Sequence, residues 1–139
     1  MSQENEAVVD RLVTRFWNQQ DFGLLDELAT PGFRHHEADG KTRDREAYKD
    51  LLREFRAFEG GFTVADTLVD ADKVAIRWIW RGTQQSDFHG AAPAGQAVEV
   101  PGQTILHFSE GRIVEMWSSW NLLDFMQQLG FRLQPPSTP

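Results

Sequence analysis

Apolar positions recur every three or four residues in the first part of the chain and every second residue after it. Over residues 4–20, Val9, Leu12, Val13, Phe16, Trp17 and Gln20 share one helical face. Leu24, Leu25 and Leu28 mark a second short helix. It stops before Thr30-Pro31, because a residue ahead of proline is driven out of the helical region. Residues 33–37 read as a short extended piece. Residues 44–58 form a third helix with Tyr48, Leu51, Leu52, Phe55 and Phe58 as its stripe and Gly60-Gly61 as its stop. The period then changes to two, and residues 62–69, 73–82, 97–108 and 112–120 read as strands. Asp70-Ala71-Asp72 and Ser109-Glu110-Gly111 are the turns between them. Residues 122–129 give a last short helix, followed by Gly130.

Helices followed by an antiparallel meander predict an α+β fold. The expected form is a curved, mostly antiparallel sheet with about three N-terminal helices on its concave face and a short C-terminal helix. Strand 73–81 is apolar on both faces, with Val74, Ile76, Trp78 and Trp80 on one and Ala75 and Ile79 among arginines on the other. Strand 112–120 behaves alike. Three helices cannot cover both faces of such a sheet, so the second face predicts a homodimer. The 139 residues suffice for one domain, with an ordered core over residues 5–132 and a proline-rich tail at 133–139 that frays.

Composition narrows the function. No apolar run reaches the roughly 18 residues of a membrane span, and no basic start precedes an apolar stretch as in a signal peptide. The chain has no cysteine, which excludes disulfides and thiolate metal sites and fits a cytoplasmic location. Its net charge of -7, with no basic stripe, argues against nucleic acid as a partner. No phosphate-cradling glycine loop, dinucleotide fingerprint or Ser/His/Asp order stands out.

The remaining candidates lie near the last hairpin. A three-residue loop at Ser109-Glu110-Gly111 sets His107 opposite Ile113, Ile105 opposite Glu115 and Gln103 opposite Trp117. Gln103, His107, Glu115, Trp117 and Asn121 then share a face, as convergent polar groups do in a small-molecule site. Tyr48 and Trp80 are expected to complete an enclosed cavity. Each has a plainer reading: His107 as a satisfied core histidine, Asn121 as the N-cap of the last helix, Glu115 as an arginine partner, Trp80 and Trp117 as core. In His35-His36-Glu37, neighbouring side chains point to opposite faces, so no metal is expected; one histidine lines the cavity and the other faces solvent. Residues 82–95, with Phe88 and His89, suit a lid at the cavity mouth or a solvated loop.

Several segments together resemble the SnoaL-like polyketide cyclases, of the nuclear-transport-factor-2-like α+β cone fold. They are the extended piece ending in His36, Gly40, residues 72–82 (DKVAIRWIWRG), Phe88-His89-Gly90 with Pro93-Ala94-Gly95, residues 108–117 (FSEGRIVEMW), and Gln128-Leu129-Gly130. The resemblance covers residues 8–131. It implies a cofactor-free enzyme of polyketide or antibiotic biosynthesis that binds a polycyclic aromatic substrate in the cone. The family's pocket histidine falls on His107, and its acid/base aspartate falls on Asn121, which cannot take a proton. The reading is acid/base chemistry on an enolisable substrate, with His107 and Asn121 catalytic and His36, Tyr48, Trp80, Phe88, Gln103, Glu115 and Trp117 binding substrate. The alternatives are a cofactor-independent hydroxylase and a non-catalytic small-molecule-binding domain.

Overall fold

The computed structural model describes residues 2–137. The tail is irregular as far as Ser137, and the last two residues of the expected tail lie outside those described. The chain opens with α1 (Ser2–Arg11), which widens into a π-helical stretch over Leu12–Asn18. That stretch buries Leu12, Val13, Phe16 and Trp17 together. Gln20, at φ 56°, turns the chain out of it. A short helix, α2 (Leu24–Leu28), leads directly into β1 (Ala29–His36). The strand therefore begins earlier than Pro31 predicts, and the proline is absorbed where the β1 pairing is irregular between Ala29 and Arg34.

After a two-residue strand, β2 (Thr42–Arg43), comes α3 (Arg45–Glu54). Asp44 caps it by accepting a hydrogen bond from the Ala47 amide at 2.9 Å. A single 3-10 turn, Phe55–Ala57, closes it. Gly60-Gly61 is not the helix stop that the sequence predicts; it lies inside β3 (Phe58–Asp70). A Cβ on Gly60 would stand 2.0 Å from the Arg81 carbonyl oxygen, so the glycine serves strand contact.

The meander continues through β4 (Lys73–Gln84), β5 (Ala97–Ser109) and β6 (Arg112–Trp120), and α4 (Leu122–Gln128) follows. The curved, open sheet runs in the order β2-β1-β6-β5-β4-β3. Among the described residues only the β1–β6 pair is parallel. The core lies between the helices and one sheet face, built from Val74, Ile76, Trp78 and Trp80 on β4, Val98, Val100, Leu106 and Phe108 on β5, and Ile113 and Met116 on β6. This is the α+β cone that the sequence predicts.

The last hairpin departs from the expected register. Ser109 pairs with Arg112 across a two-residue turn, with Glu110 at φ 50° and Gly111 at φ 77°. Two left-handed residues in a two-residue loop match the twist of the strands. His107 pairs with Glu115 but Phe108 pairs with Ile113, which makes Val114 an extra residue, a β-bulge. The bulge lets Ile113, Met116 and Ser118 all face the core.

Candidate functional site

Between α3, the end of the first helix and the inner sheet face lies a cavity of about 50 Å³. Its walls are aromatic: Trp17, Phe55, Phe62, Trp78, Trp80, Trp120 and Phe125, with Glu37, Tyr48 and Ser118 as polar members. Two larger recesses adjoin it. One, of about 320 Å³, lies against Asn18, Arg56 and Gly61. The other, of about 300 Å³, is bordered by Asp39, Lys41, Arg43, His89 and Phe88. The ring of Phe55 borders all three spaces.

Glu37 follows directly on β1, where the strand's last turn of alternation aims its carboxyl inward. Trp120 Nε1 donates to its Oε1 at 2.8 Å, and the Ala38 amide donates to the same oxygen at 2.7 Å. Burial pushes the Glu37 carboxyl above the ordinary carboxylate range; the Ala38 and Trp120 donors pull it back, and Asp39 and Arg43 act in opposite senses. Tyr48, on the buried face of α3, accepts a hydrogen bond from Trp17 Nε1 at 2.8 Å. Its own proton is left to donate. Burial, then the nearby Glu37 charge, keeps the Tyr48 hydroxyl protonated far beyond the ordinary phenol range.

Behind this wall the inner face carries a chain of polar side chains. Trp78 Nε1 donates to Thr104 Oγ1 at 2.9 Å, Thr104 Oγ1 and Ser118 Oγ lie 2.9 Å apart, and Ser118 Oγ lies 3.0 Å from His35 Nε2. The His35 ring is fully buried and stacks on Tyr48 at 4.1 Å. Its pKa falls from 6.5 to about 3, chiefly through burial, then through the charges of Arg43 and His36, with Asp39 opposing.

Of the residues expected from sequence, Tyr48 and Trp80 line the cavity, and Phe88 borders the adjoining recess, packed against Phe55, Phe58 and Phe125. The polar stripe is corrected. Gln103, His107, Glu115 and Trp117 alternate with the buried residues of β5 and β6 and lie on the outward face. There His36 Nε2 meets Glu115 Oε2 at 2.6 Å, and the rings of His36 and His107 both pack on Trp117, at 5.2 and 4.6 Å. The inward histidine is His35, not His36. Asn121 is exposed and caps α4, accepting from the Asp124 amide at 2.8 Å. Gln103, His107, Glu115 and Trp117 share a face in the observed register as in the assumed one, and only Ile113 changes sides through the bulge; the error lay in taking that face of β5 as the concave one.

Glu37, His35, Thr104, Ser118 and Trp120 are the site residues that the sequence reading missed. A signal was present. Val98, Val100, Leu106 and Phe108 form a stronger alternating set than Pro101, Gln103, Ile105 and His107, and that set identifies the core face of β5. Among the described residues no group of three or more His, Asp or Glu side chains is placed to hold a metal ion.

Comparison with known proteins agrees with this architecture. A SnoaL-like protein from Jannaschia sp. CCS1, provisionally named a polyketide cyclase, is 28% identical over 97% of this chain and 95% of its own, with a TM-score of 0.83. IdmH from Streptomyces antibioticus, also provisionally named a polyketide cyclase, is 28% identical over 91% of this chain and 99% of its own, with a TM-score of 0.81. AclR from Streptomyces galilaeus, provisionally named a hydroxylase, is 26% identical over 94% and 98%, with a TM-score of 0.83. No curated protein matches the sequence significantly. The SnoaL-like polyketide cyclase family matches residues 7–129. With nearly the whole folded chain covered and the cone in place, this protein belongs to the SnoaL-like polyketide cyclase family.

Proposed function

We propose that the protein is a cofactor-independent acid/base enzyme of polyketide or related secondary metabolism, acting in the cytoplasm on an aromatic, enolisable substrate. The observation that carries this reading is the pairing, in one aromatic-walled cavity, of a buried carboxyl at Glu37 with the free proton of the Tyr48 hydroxyl. Glu37 takes the proton next to a substrate carbonyl. A carboxylate raised by burial is a stronger base than a surface one. Tyr48 donates to the carbonyl oxygen as it becomes an enolate, a fixed dipole where negative charge develops. The indole and phenyl walls stack on a flat ring system. The cavity is smaller than the roughly 300–1,000 Å³ of ordinary ligand sites, so substrate binding requires the Phe55 ring to swing and join it to the adjoining recesses.

Cyclisation and hydroxylation share this enolate. The likeness to AclR supports the second outcome and the likeness to IdmH the first. The test is turnover of a panel of anthraquinone-type esters and quinones, with oxygen uptake followed alongside; uptake accompanies hydroxylation only. Glu37→Gln is expected to lose about 10²–10⁴-fold in rate and Tyr48→Phe about 10²-fold. His107→Ala and Asn121→Asp, outside the cavity, are expected to stay near wild type. Full activity in Glu37→Gln together with loss in His107→Ala would overturn the assignment, and tight binding of the panel without turnover would leave a binding domain. The outward sheet face supports a second proposal, a homodimer, because Leu68 and Ile105 on it are exposed.

A further inference from the structure

We propose that His35 is a positioning residue for Glu37, held with its ring proton on Nδ1 by a one-way hydrogen-bond relay that starts at Trp78. This rests on the reading of Glu37 as the acid/base group, and it assigns a role to a chain of buried side chains that never touch substrate at the histidine.

The direction follows from the inventory of donors. An indole N–H can only donate, so Thr104 Oγ1 is the acceptor from Trp78 at 2.9 Å. Thr104 is 1% exposed, and its hydroxyl's polar partners among the described residues are Trp78 and Ser118. Its single proton therefore goes to Ser118 Oγ, 2.9 Å away. The Ser118 proton then goes to His35 Nε2 at 3.0 Å, which makes that nitrogen the bare acceptor and places the proton on Nδ1. The reverse direction fails twice. It leaves the Thr104 proton facing no acceptor, and it turns a bare lone pair on His35 Nδ1 toward a carboxylate.

The far end of the relay is an unmet donor. His35 Nδ1 is buried without a hydrogen-bond partner and stands 3.9 Å from Glu37 Oε2, beyond hydrogen-bond reach. The other carboxyl oxygen, Oε1, already holds the Trp120 and Ala38 donors. Oε1 is thus the anchored oxygen and Oε2 the working one. While Glu37 is protonated the gap is tolerable. When Oε2 gains charge, a closure of about 1 Å brings Nδ1–H into a charge-assisted bond of ordinary length. The charged groups that act on this pair are Arg43 on β2, Asp39 just before it and, from the opposite face of β1, His36, with the Tyr48 ring stacked over the imidazole. Burial keeps the imidazole neutral down to about pH 3, so its contribution is a fixed dipole and not a titrating charge.

The Ser118–His35–Glu37 order resembles a hydrolytic triad, but the site does not fit one. An imidazole with a pKa near 3 is too weak to take the serine proton. Ser118 also sits in mid-strand, where its amide neighbours belong to the β-ladder and not to an oxyanion hole.

The experiment is ¹⁵N and ¹³C NMR on the labelled resting protein. In the wild type the His35 ring is expected to show a protonated Nδ1 and a bare Nε2 across pH 5–8. Thr104→Val removes the second link with little change of volume. It is expected to release the single tautomer and to raise the titration midpoint of the Glu37 carboxyl carbon by about one pH unit, the weight of one bond to a charged group. A wild-type His35 with its proton on Nε2 overturns the relay, and that measurement stands even if the variant does not fold. A Glu37 midpoint unmoved in folded Thr104→Val, with the tautomer released, overturns the positioning role. Neither readout needs turnover, so an active Glu37→Gln strikes the catalytic reading while these two still decide the relay.

Discussion

Glu37 and His35 sit two residues apart on one strand end, and burial moves them in opposite directions. Their effects on stability against pH are therefore opposed. His35 titrates near 3 in the fold against 6.5 when free, so the unfolded chain binds the extra proton between those values. Its contribution is complete above pH 6.5 and is lost as pH falls, by up to about 1.4 kcal/mol per pH unit. Glu37 is raised above its ordinary 4.5, so the folded chain holds the extra proton. Its contribution is complete below 4.5 and is lost as pH rises through the folded value. From about pH 4.5 up to the folded value of Glu37 the two slopes partly cancel. Glu37→Gln keeps an oxygen for the Trp120 donor and removes one of the two slopes. Urea unfolding at several pH values should then show stability rising with pH more steeply in the variant than in the wild type. Equal slopes would mean that Glu37 is not raised by burial. None of this pairing was legible in the sequence beyond the triplet His35-His36-Glu37 itself, because which histidine turns inward depends on the parallel register of β1 on β6.

The element scale is where pattern and structure mostly agree, and the exceptions share a cause. Helical stripes over Val9–Trp17 and Tyr48–Leu52, and the four long strands, follow from periodicities of 3.6 and 2. What the pattern hides is local: the bulge at Val114, the two-residue strand at Thr42–Arg43, and glycines that serve contact between strands. Gly102 shows the last most clearly. It pairs with Trp78, whose indole packs against it, and a Cβ there would stand 2.3 Å from the ring. Gly102→Ala must displace a buried indole that both walls the cavity and starts the relay through Thr104. Overpacking of this kind costs about 1–3 kcal/mol. Gly32→Ala, which meets nothing within 4 Å and needs no left-handed backbone, is the control and should be near neutral. Chemical denaturation of both variants, read by tryptophan fluorescence, checks the difference; equal stability would show that the Trp78 ring yields freely.

At the scale of the whole molecule, the fold class was legible because helical periodicity followed by an antiparallel meander leaves helices packed on one face of a sheet. The site was not, because both faces of β5 and β6 carry apolar residues and the polar stripe was assigned to the concave face, whereas it lies on the outward one. The homodimer proposed above would use that outward stripe. Leu68, Ala75, Ile105, Trp117 and His36 are successive cross-strand partners, so they form one continuous row over β3, β4, β5, β6 and β1. Leu68 is 73% exposed and Ile105 46% exposed, whereas isolated exposed apolar residues would not line up in this way. Flanking the row, Arg77 with Asp66 and Arg81 with Glu99 make exposed ion pairs of mixed sign, a rim that a second copy can meet without net repulsion. The expected result is a dimer by light scattering at micromolar concentration. Ile105→Glu places a charge in the middle of the row without touching the core, so it should give a monomer with unchanged far-ultraviolet circular dichroism. Because the cavity opens on the opposite face, that monomer should keep its substrate binding. A wild type that is already monomeric removes the dimer. A monomeric Ile105→Glu that loses binding would instead show that pairing of the sheets holds the cone in shape.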